Sequence, residues 1–217
     1  MKYIKKSEEP ESFTVWKNLA NEDWQPSWDG FRKPQKIDVH DSLLQEQGFI
    51  CCYCGKRITK DISHIEHLKP RKTHQNLALE YTNLLASCQR ERERKEPLHC
   101  GSKKDEWYDE NLMVSPLDIN CTEFFRYTED GQILSTQVIE KKSAADTTID
   151  KLDLNIDKLK KMRSDAIEGI LEGFEELTEN EQQKLLQAFC QPDDNGQNQE
   201  FCAAIAYILK NYFELVK

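Results

Sequence analysis

The sequence predicts an α+β protein in which a small core of short strands, with a cysteine knuckle, is embedded in a mostly helical chain. Three observations support this prediction. A C-x2-C pair, Cys51 and Cys54, precedes a glycine within a stretch of strand-forming residues. A second such stretch, Ile62 to Leu68, ends before Pro70. Beyond Ile149, apolar residues recur every three or four positions, which is typical of helices.

The composition is that of a globular protein of 217 residues, 38% hydrophobic and 32% charged. No apolar stretch approaches the ~20 residues that span a membrane, and no secretory segment is evident, so we expect a cytoplasmic protein. The net charge of −9 argues against a free-standing nucleic-acid binder. Between Lys56 and Lys104, however, twelve Lys and Arg accompany only six Asp and Glu. Such a basic island within an otherwise acidic chain favours a catalytic module that acts with the help of a partner.

Residues 1–48 are predicted to form an N-terminal arm and a helix. The aromatic, irregular stretch 1–36 indicates a short helix and an extended arm packed on the core. From Ile37 to Gln47, apolar residues share one helical face, and Gly48 provides the stop. His40, within this helix, is predicted to be solvated.

Residues 49–140 form the second predicted module. Its expected segments are a strand over Phe49–Ile58 that the cysteine knuckle interrupts, a strand over Ile62–Leu68, and a loop over Arg71–Thr82. They are followed by a solvated charged helix face over Arg90–Glu96 and a hairpin of Phe124–Thr128 and Gln132–Val138. Glu129-Asp130-Gly131 is the turn of that hairpin.

Residues 141–217 are predicted to be a helical region. One apolar stripe consists of Leu159, Met162, Ala166, Ile170, Phe174 and Leu177. After a turn-rich segment, a last helix carries Phe201, Ile205, Ile208, Leu209, Tyr212 and Phe213. We expect these helices to pack on the core or to dock a partner.

The eight cysteines fall into two groups. Cys51 and Cys54, in a knuckle closed by glycine, present two thiolates to one ion. Cys88 and Cys100 are the candidates for the second pair of a tetrahedral zinc site, although eleven residues separate them. The alternative is that these two are unrelated core thiols. The remaining cysteines are predicted to be small core residues: Cys52, Cys121, Cys190 and Cys202.

A more specific pattern lies between the cysteine pairs. Cys51-x2-Cys54, Glu66-His67-x2-Pro70, Asn83-Leu84 and Cys88 resemble the HNH (ββα-metal) endonucleases with their structural zinc. The wider chain resembles the PtuB-type HNH components of Septu and retron-associated anti-phage defence systems. The segments that carry this narrower resemblance are Leu43–Gln47, Cys51–Cys54 and His99–Lys104. The resemblance implies a small ββα-metal core from about Cys51 to Lys104.

The resemblance implies a role for each motif residue. Phosphodiester cleavage needs a deprotonated water and a cation that takes up developing charge. His67 would be the general base, because a neutral imidazole accepts a proton in the right pH range. Glu66 would bind the catalytic Mg²⁺ or Mn²⁺, and Asn83 would hold the His67 loop or orient its ring. Glu66 and His67 can converge only where the strand ends or twists.

The sequence departs from the family pattern at the third corner of the motif. A His or Asn usually follows the last cysteine, but here Gly101 does. His99 is the predicted substitute as a ligand of the catalytic metal, with Asp105 and Asp118 as competing candidates. His64 shares a strand face with Glu66 and is interpreted as a strand-surface residue or a residue behind the ligands.

Basic side chains near these motifs are predicted to contact phosphate: Lys69, Arg71, Lys72, Lys103 and Lys104. The resemblance implies an endonuclease that leaves 5′-phosphate and 3′-hydroxyl ends, with DNA favoured as substrate. It also implies a PtuA-like ABC-class ATPase as partner. Two alternatives remain open at this point, namely cleavage of RNA such as a tRNA, and a catalytically silent zinc module that binds nucleic acid or protein.

Overall fold

The computed structural model describes residues 1–90 and 95–215, with side chains as far as Tyr212. Two sequence predictions concern parts of the chain outside this description. They are the middle of the charged stretch, residues 91–94, and the side chain of Phe213. Helices and two small antiparallel sheets share this part of the chain, so the α+β class is confirmed. Among the described helices, none is long and apolar enough to cross a membrane.

The N-terminal segment forms helices α1 (Glu11–Lys17) and α2 (Gln35–Glu46). The predicted helix before Gly48 is thereby confirmed. The prediction that His40 is solvated is wrong, because its ring is buried and its Nε2 lies 2.9 Å from Ser63 Oγ. Its position on α2 places it against the first strand, and no sequence periodicity reveals that contact.

The strands next to the site are β1 (Ser63–His67) and β2 (Leu84–Cys88), which pair antiparallel with His67 opposite Leu84. The strand predicted over Ile62–Leu68 is confirmed. We had not predicted β2, which is buried along its whole length. Gln47 covers its backbone, since Ala86 N–H donates to Gln47 Oε1 (2.7 Å) and Gln47 Nε2 donates to Ala86 O (2.9 Å).

The predicted first strand, Phe49–Ile58 with the cysteine knuckle interrupting it, is correct in its knuckle but too long in its strand. Only an isolated bridge joins Ile50 and Arg57 in this stretch. The residues between them form the cysteine knuckle, which is closed by Cys51 N–H donating to Lys56 O (2.8 Å). Gly55 has a φ of +77°, a conformation that glycine adopts without a steric cost. The turn of the knuckle therefore occupies the residues that would otherwise extend this bridge into a strand.

Beyond β2 the chain forms a short helix, α3 (Cys100–Lys104), and then the hairpin of β3 (Phe125–Tyr127) and β4 (Ile133–Ser135). The predicted hairpin is confirmed, with shorter strands. Gly131 in its turn has a φ of +80° and lies against the Lys160 carbonyl of the next region.

The C-terminal region contains α4 (Ile139–Lys151), α5 (Asp157–Leu171), α6 (Glu179–Cys190) and α7 (Cys202–Leu215). Helix α4 begins ten residues before the predicted start of helical structure at Ile149. The core-facing side of α5 carries Leu159, Arg163 and Ile167. Of the predicted stripe, Leu159 and Phe174 are buried, whereas Met162, Ala166, Ile170 and Leu177 are half-buried. Burial was correctly predicted for Cys52, Cys121 and Cys202 but not for Cys190, which is exposed.

Helical and turn segments of the C-terminal region hold the knuckle from behind. Cys100 N–H donates to Leu152 O (2.8 Å), and Phe201 N–H donates to Gly55 O (2.9 Å). Asn198 N–H donates to Gly48 O (3.0 Å). The C-terminal region therefore positions the cysteines as directly as the strands do.

Candidate active site

The four predicted cysteine ligands lie together where the knuckle, β2 and α3 meet. The sulfur atoms of Cys51, Cys54, Cys88 and Cys100 lie within 4.8 Å of one another, and all four residues are buried. Cys54 Sγ and Cys88 Sγ are 3.8 Å apart, and a tetrahedral zinc ion with Zn–S bonds of about 2.3 Å separates its sulfurs by about 3.8 Å. The cluster thus has the donor set and the spacing for a structural ion such as zinc.

Hydrogen bonds within the cluster favour negative charge on one sulfur. Burial raises the pKa of the Cys51 thiol, but hydrogen bonds from Cys100 and the other nearby thiols outweigh burial and bring this pKa well below its ordinary value. The backbone N–H of Cys88 also donates to Cys51 Sγ (3.4 Å). Burial raises the pKa of Cys100. A cation is therefore needed before several of these sulfurs can be charged together.

A cleft of about 800 Å³ lies next to this cluster. Glu66 and His67 both line it, and His67 is the last residue of β1. The two neighbours converge because the regular strand ends at His67. Trp28 from the N-terminal arm and Gly101 from α3 also line the cleft.

The ring of His67 is held in one orientation. Its Nε2 lies 3.0 Å from Ala78 O, and Trp28 meets the ring edge-on at 4.3 Å between centroids. Because a carbonyl oxygen can only accept, Nε2 carries the proton and the neutral ring keeps Nδ1 as a proton acceptor. Burial lowers the pKa of His67 to about 4. The imidazole is therefore neutral, the form a general base requires.

Asn83 fastens the loop that follows His67. Its Oδ1 accepts from Lys69 N–H (2.8 Å), and its Nδ2 donates to Lys69 O (3.0 Å) and Leu77 O (3.2 Å). In addition, Leu68 N–H donates to Asn83 O (3.0 Å). These bonds tie both ends of the loop to the start of β2, so Asn83 lies behind the base.

Glu66 is a buried carboxylate with two differently occupied oxygens. Lys104 Nζ lies 3.0 Å from Oε1, which also accepts from the Tyr53 hydroxyl (3.2 Å). Oε2 lies 3.5 Å from His64 Nε2. Burial by itself raises the pKa of Glu66, but hydrogen bonding with His64 and the charge of Lys104 bring it below its ordinary value. Glu66 is consequently ionised.

Lys104 was predicted to reach phosphate, and the structure corrects that prediction. Its side chain is 0% exposed because it pairs with Glu66 and its Nζ donates to His67 O (3.0 Å). The sequence alone does not distinguish this buried lysine from an exposed one. Lys104 therefore compensates the charge of Glu66 and supports the strand end.

The predicted candidates for the third corner lie in different places. His99 is 2% exposed, and its Nδ1 lies 3.2 Å from Cys100 Sγ and 3.7 Å from Cys88 Sγ, so it faces the cysteine cluster. Asp105 lines the cleft. The carboxylate of Asp118 accepts from Asn120 N–H (2.9 Å) in a turn elsewhere.

Comparison with known proteins identifies the family. No protein-family model matches the chain. A curated protein from Vibrio cholerae serotype O1 biovar El Tor is 34% identical over 146 residues, which cover 65% of this chain and 68% of that protein. That relative is named as an HNH endonuclease of retron Vc95. The chain belongs to the HNH endonuclease family. The family predicted from the cysteine and Glu-His motifs is confirmed, and the enzyme is favoured over the silent zinc module.

The predicted phosphate-binding residues of this HNH endonuclease differ in their surroundings. Arg71 is exposed at the cleft, with its guanidinium 5.0 Å from the Trp28 ring. Lys69 Nζ lies 3.6 Å from Glu110 Oε1, and Lys72 Nζ lies 2.7 Å from Glu106 Oε2. Lys103 lies 3.8 Å from Asp153. These pairs are partly exposed, so phosphate can compete for the lysines.

A second concave surface of about 480 Å³ adjoins the cleft and shares Trp28, His64 and Ile65 with it. We call it the basic groove, and its cationic lining residues are Lys33, Lys36, Lys60 and Arg90. Burial lowers the pKa of Lys36, and the charges of Arg32, Arg71 and Arg90 lower it further. Crowded positive charge at the mouth of an HNH cleft is suited to a polyanion.

His64, which was expected to share a strand face with Glu66, does so, and it also lines the cleft and faces the Glu66 carboxylate. Sequence reasoning missed one feature of this cleft. Trp28 was assigned only to a packed arm, and nothing local links it to His67, thirty-nine positions away.

Proposed function

We propose that this HNH endonuclease hydrolyses DNA with a divalent cation and that His67 deprotonates the attacking water. The proposal depends chiefly on one observation: His67 keeps Nδ1 as an acceptor in an open cleft, beside the ionised Glu66. A divalent cation, Mg²⁺ or Mn²⁺, would supply Lewis acidity and take up charge on the leaving oxygen. Glu66 would hold it through Oε2, since Oε1 already accepts from Lys104 and Tyr53.

Each surrounding residue has a part in this mechanism. Ala78 O fixes the tautomer of His67, and Asn83 holds the loop through Lys69. Trp28 covers the ring and limits access of bulk water. In-line attack of water on phosphorus would then give products that carry 5′-phosphate and 3′-hydroxyl ends, as the resemblance to HNH endonucleases implies.

We also propose that the four-cysteine cluster binds zinc and has a structural role, completing a ββα-metal core from β1, β2 and α3. The closed thiolate set supports this assignment, because catalytic zinc sites keep an open position. The cluster is buried, whereas the cleft is open. Zinc would thus hold α3 against β2 and maintain the wall of the cleft.

The substrate proposal follows from the charges around the cleft. Arg71 in the cleft and the cationic residues of the basic groove lie on adjoining surfaces that share Trp28. Such a surface binds phosphate backbones with an affinity that falls with salt. DNA is the favoured substrate, and RNA is the alternative that the experiment below distinguishes.

The direct test is His67→Ala, with His74→Ala as the matched control. We expect the first variant to lose about 10²- to 10⁴-fold in the rate of DNA cleavage. The control should keep its rate, since His74 packs on Tyr108 outside the cleft. Zinc content and the melting temperature should be retained in both. Full cleavage by His67→Ala would refute the assigned base, and cleavage of RNA with intact DNA would refute the substrate.

We propose a role in anti-phage defence with a PtuA-like ABC-class ATPase as partner. Two observations support this: the acidic balance of the chain outside its basic island, and the similarity to a retron-associated endonuclease. Co-expression with a PtuA-like ABC-class ATPase should yield a stable complex on size-exclusion chromatography. Separate elution of the two proteins, together with full nuclease activity of the isolated chain, would contradict a partner-restrained nuclease.

A further inference from the structure

Gly101 leaves a space that two side chains of β1 fill. It follows the last cysteine, where HNH motifs usually carry a His or Asn. A Cβ at this position would lie 2.5 Å from Glu66 Oε2 and 2.9 Å from His64 Nε2. Real Cβ atoms essentially never come so close to such atoms. The atoms of His64 and Glu66 therefore occupy the volume that a side chain from α3 would otherwise take.

His64 and Glu66 point to the same side of β1 because they are two positions apart. His64 Nε2 and Glu66 Oε2 are 3.5 Å apart. Adjacent ligands of an octahedral cation with bonds of about 2.1 Å lie about 3.0 Å apart. A shift of a few tenths of an ångström would thus bring both atoms onto one ion.

The environment of Glu66 directs its second oxygen toward that position. Lys104 and Tyr53 hold Oε1, which leaves Oε2 facing His64 and the cleft. The side chain of His64 is 29% exposed, whereas that of Glu66 is 9% exposed. His64 can therefore meet a hydrated ion from solvent, while the carboxylate behind it is already oriented by its buried partners.

The predicted substitute ligand, His99, precedes Cys100, the first residue of α3, whereas Gly101 follows it. Its Nδ1 faces the sulfurs of Cys88 and Cys100, and it does not line the cleft. We propose that His64 Nε2 binds the catalytic cation together with Glu66 Oε2 and replaces the ligand that Gly101 cannot provide. This inference rests on the proposed metal-dependent hydrolysis. An imidazole ligand also favours Mn²⁺ over Mg²⁺, which prefers oxygen.

The experiment uses the full zinc-loaded chain and Mn²⁺ as the probe. Titration followed by electron paramagnetic resonance measures affinity, and pulsed resonance detects nitrogen bound directly to Mn²⁺. We expect directly coordinated nitrogen in the wild type and its loss in His64→Ala, with affinity at least about tenfold weaker. His99→Ala and His67→Ala should keep the nitrogen signal. Zinc content and melting temperature establish that each variant is folded.

The outcomes separate this inference from the proposed function. A wild type that cuts DNA with Mn²⁺ but shows no bound nitrogen would overturn the role of His64 alone, and no variant is needed for that result. A nitrogen signal that persists in His64→Ala or disappears in His99→Ala would also overturn it. A wild type that neither binds Mn²⁺ nor cuts any nucleic acid would overturn both proposals.

Discussion

Two parts of this endonuclease are held together by different interactions. The cleft half, residues 49–105, has little regular structure and buries a set of polar side chains: Ser63, Glu66, His67, Asn83, Ser87, His99 and Lys104. The helical half, residues 139–215, buries mainly apolar side chains, with Thr148, Arg163 and Asn198 as its buried polar residues among those described.

Burying polar side chains costs free energy, and this cost is concentrated in the half of the chain that carries the cleft. Buried polar groups need partners, and those of the cleft half find them in each other, in the backbone and in the cysteine cluster. Arg163 of the helical half donates instead to the carbonyls of Gly131 and Leu154, both at 2.7 Å. The cleft half therefore depends on a few specific contacts, while the helical half depends on packing.

The largest expected effect comes from the proposed zinc ligands. Cys54→Ser should abolish zinc binding and unfold the cleft half, because a structural zinc contributes on the order of 10 kcal/mol in small modules. Cys121→Ser, which alters a buried thiol outside the cluster, should keep its zinc and lose about 1–3 kcal/mol. Elemental analysis and thermal unfolding test both. Equal zinc contents would show that Cys54 is not a zinc ligand. A zinc-free Cys54→Ser variant with an unchanged melting temperature would show that the cleft half does not depend on the ion.

Packing in the helical half can be tested at the hairpin turn. Gly131→Ala would place a Cβ against the carbonyl oxygen of Lys160 and strain a positive φ, so we expect a loss of about 2–4 kcal/mol. Gly196→Ala has a similar φ, +73° against +80°, but meets no atom within 4 Å. It should lose about 1 kcal/mol. Chemical denaturation measures both, and similar losses would mean that α5 does not pack tightly on the turn.

Acid should weaken the cleft half and the contact that α2 makes with it through His40 and Ser63. Burial lowers the pKa values of His40 and His67 from 6.5 to about 4. The unfolded chain therefore binds protons that the folded chain does not between pH 6.5 and pH 4, and stability falls as the pH is lowered through that window. His40→Gln, which keeps a polar group near Ser63, should reduce the slope by about one proton. An unchanged slope in urea unfolding measured against pH would contradict a neutral buried His40.

The smallest expected effect concerns the basic groove. In the inactive His67→Ala background, Lys36→Met should weaken DNA binding and lower the slope of log affinity against log salt by about 0.9. Lys142→Met removes an exposed charge from α4 of the helical half and should leave the slope unchanged. Fluorescence anisotropy at several salt concentrations measures the slopes. Equal slopes for the two variants would exclude Lys36 from phosphate contact.

Local sequence patterns determined much of this protein. The knuckle with its glycine, the Glu66-His67 pair ahead of Pro70, helix α2 and the Gly131 hairpin all depend on residues close together in the chain. Their conformations follow from turn chemistry and short-range periodicity. The same patterns placed the chain among the HNH endonucleases.

The tertiary structure alone decided which side chains meet across long separations. Gly101 lies opposite His64 and Glu66, Trp28 covers His67, and Lys104 is buried on Glu66. Sequence reasoning favoured His99 for the metal because it immediately precedes Cys100. The chain turns at Cys100, however, where φ is +54°, and His99 faces the sulfurs. Local spacing determines the candidates, whereas packing of distant segments determines which of them share a site.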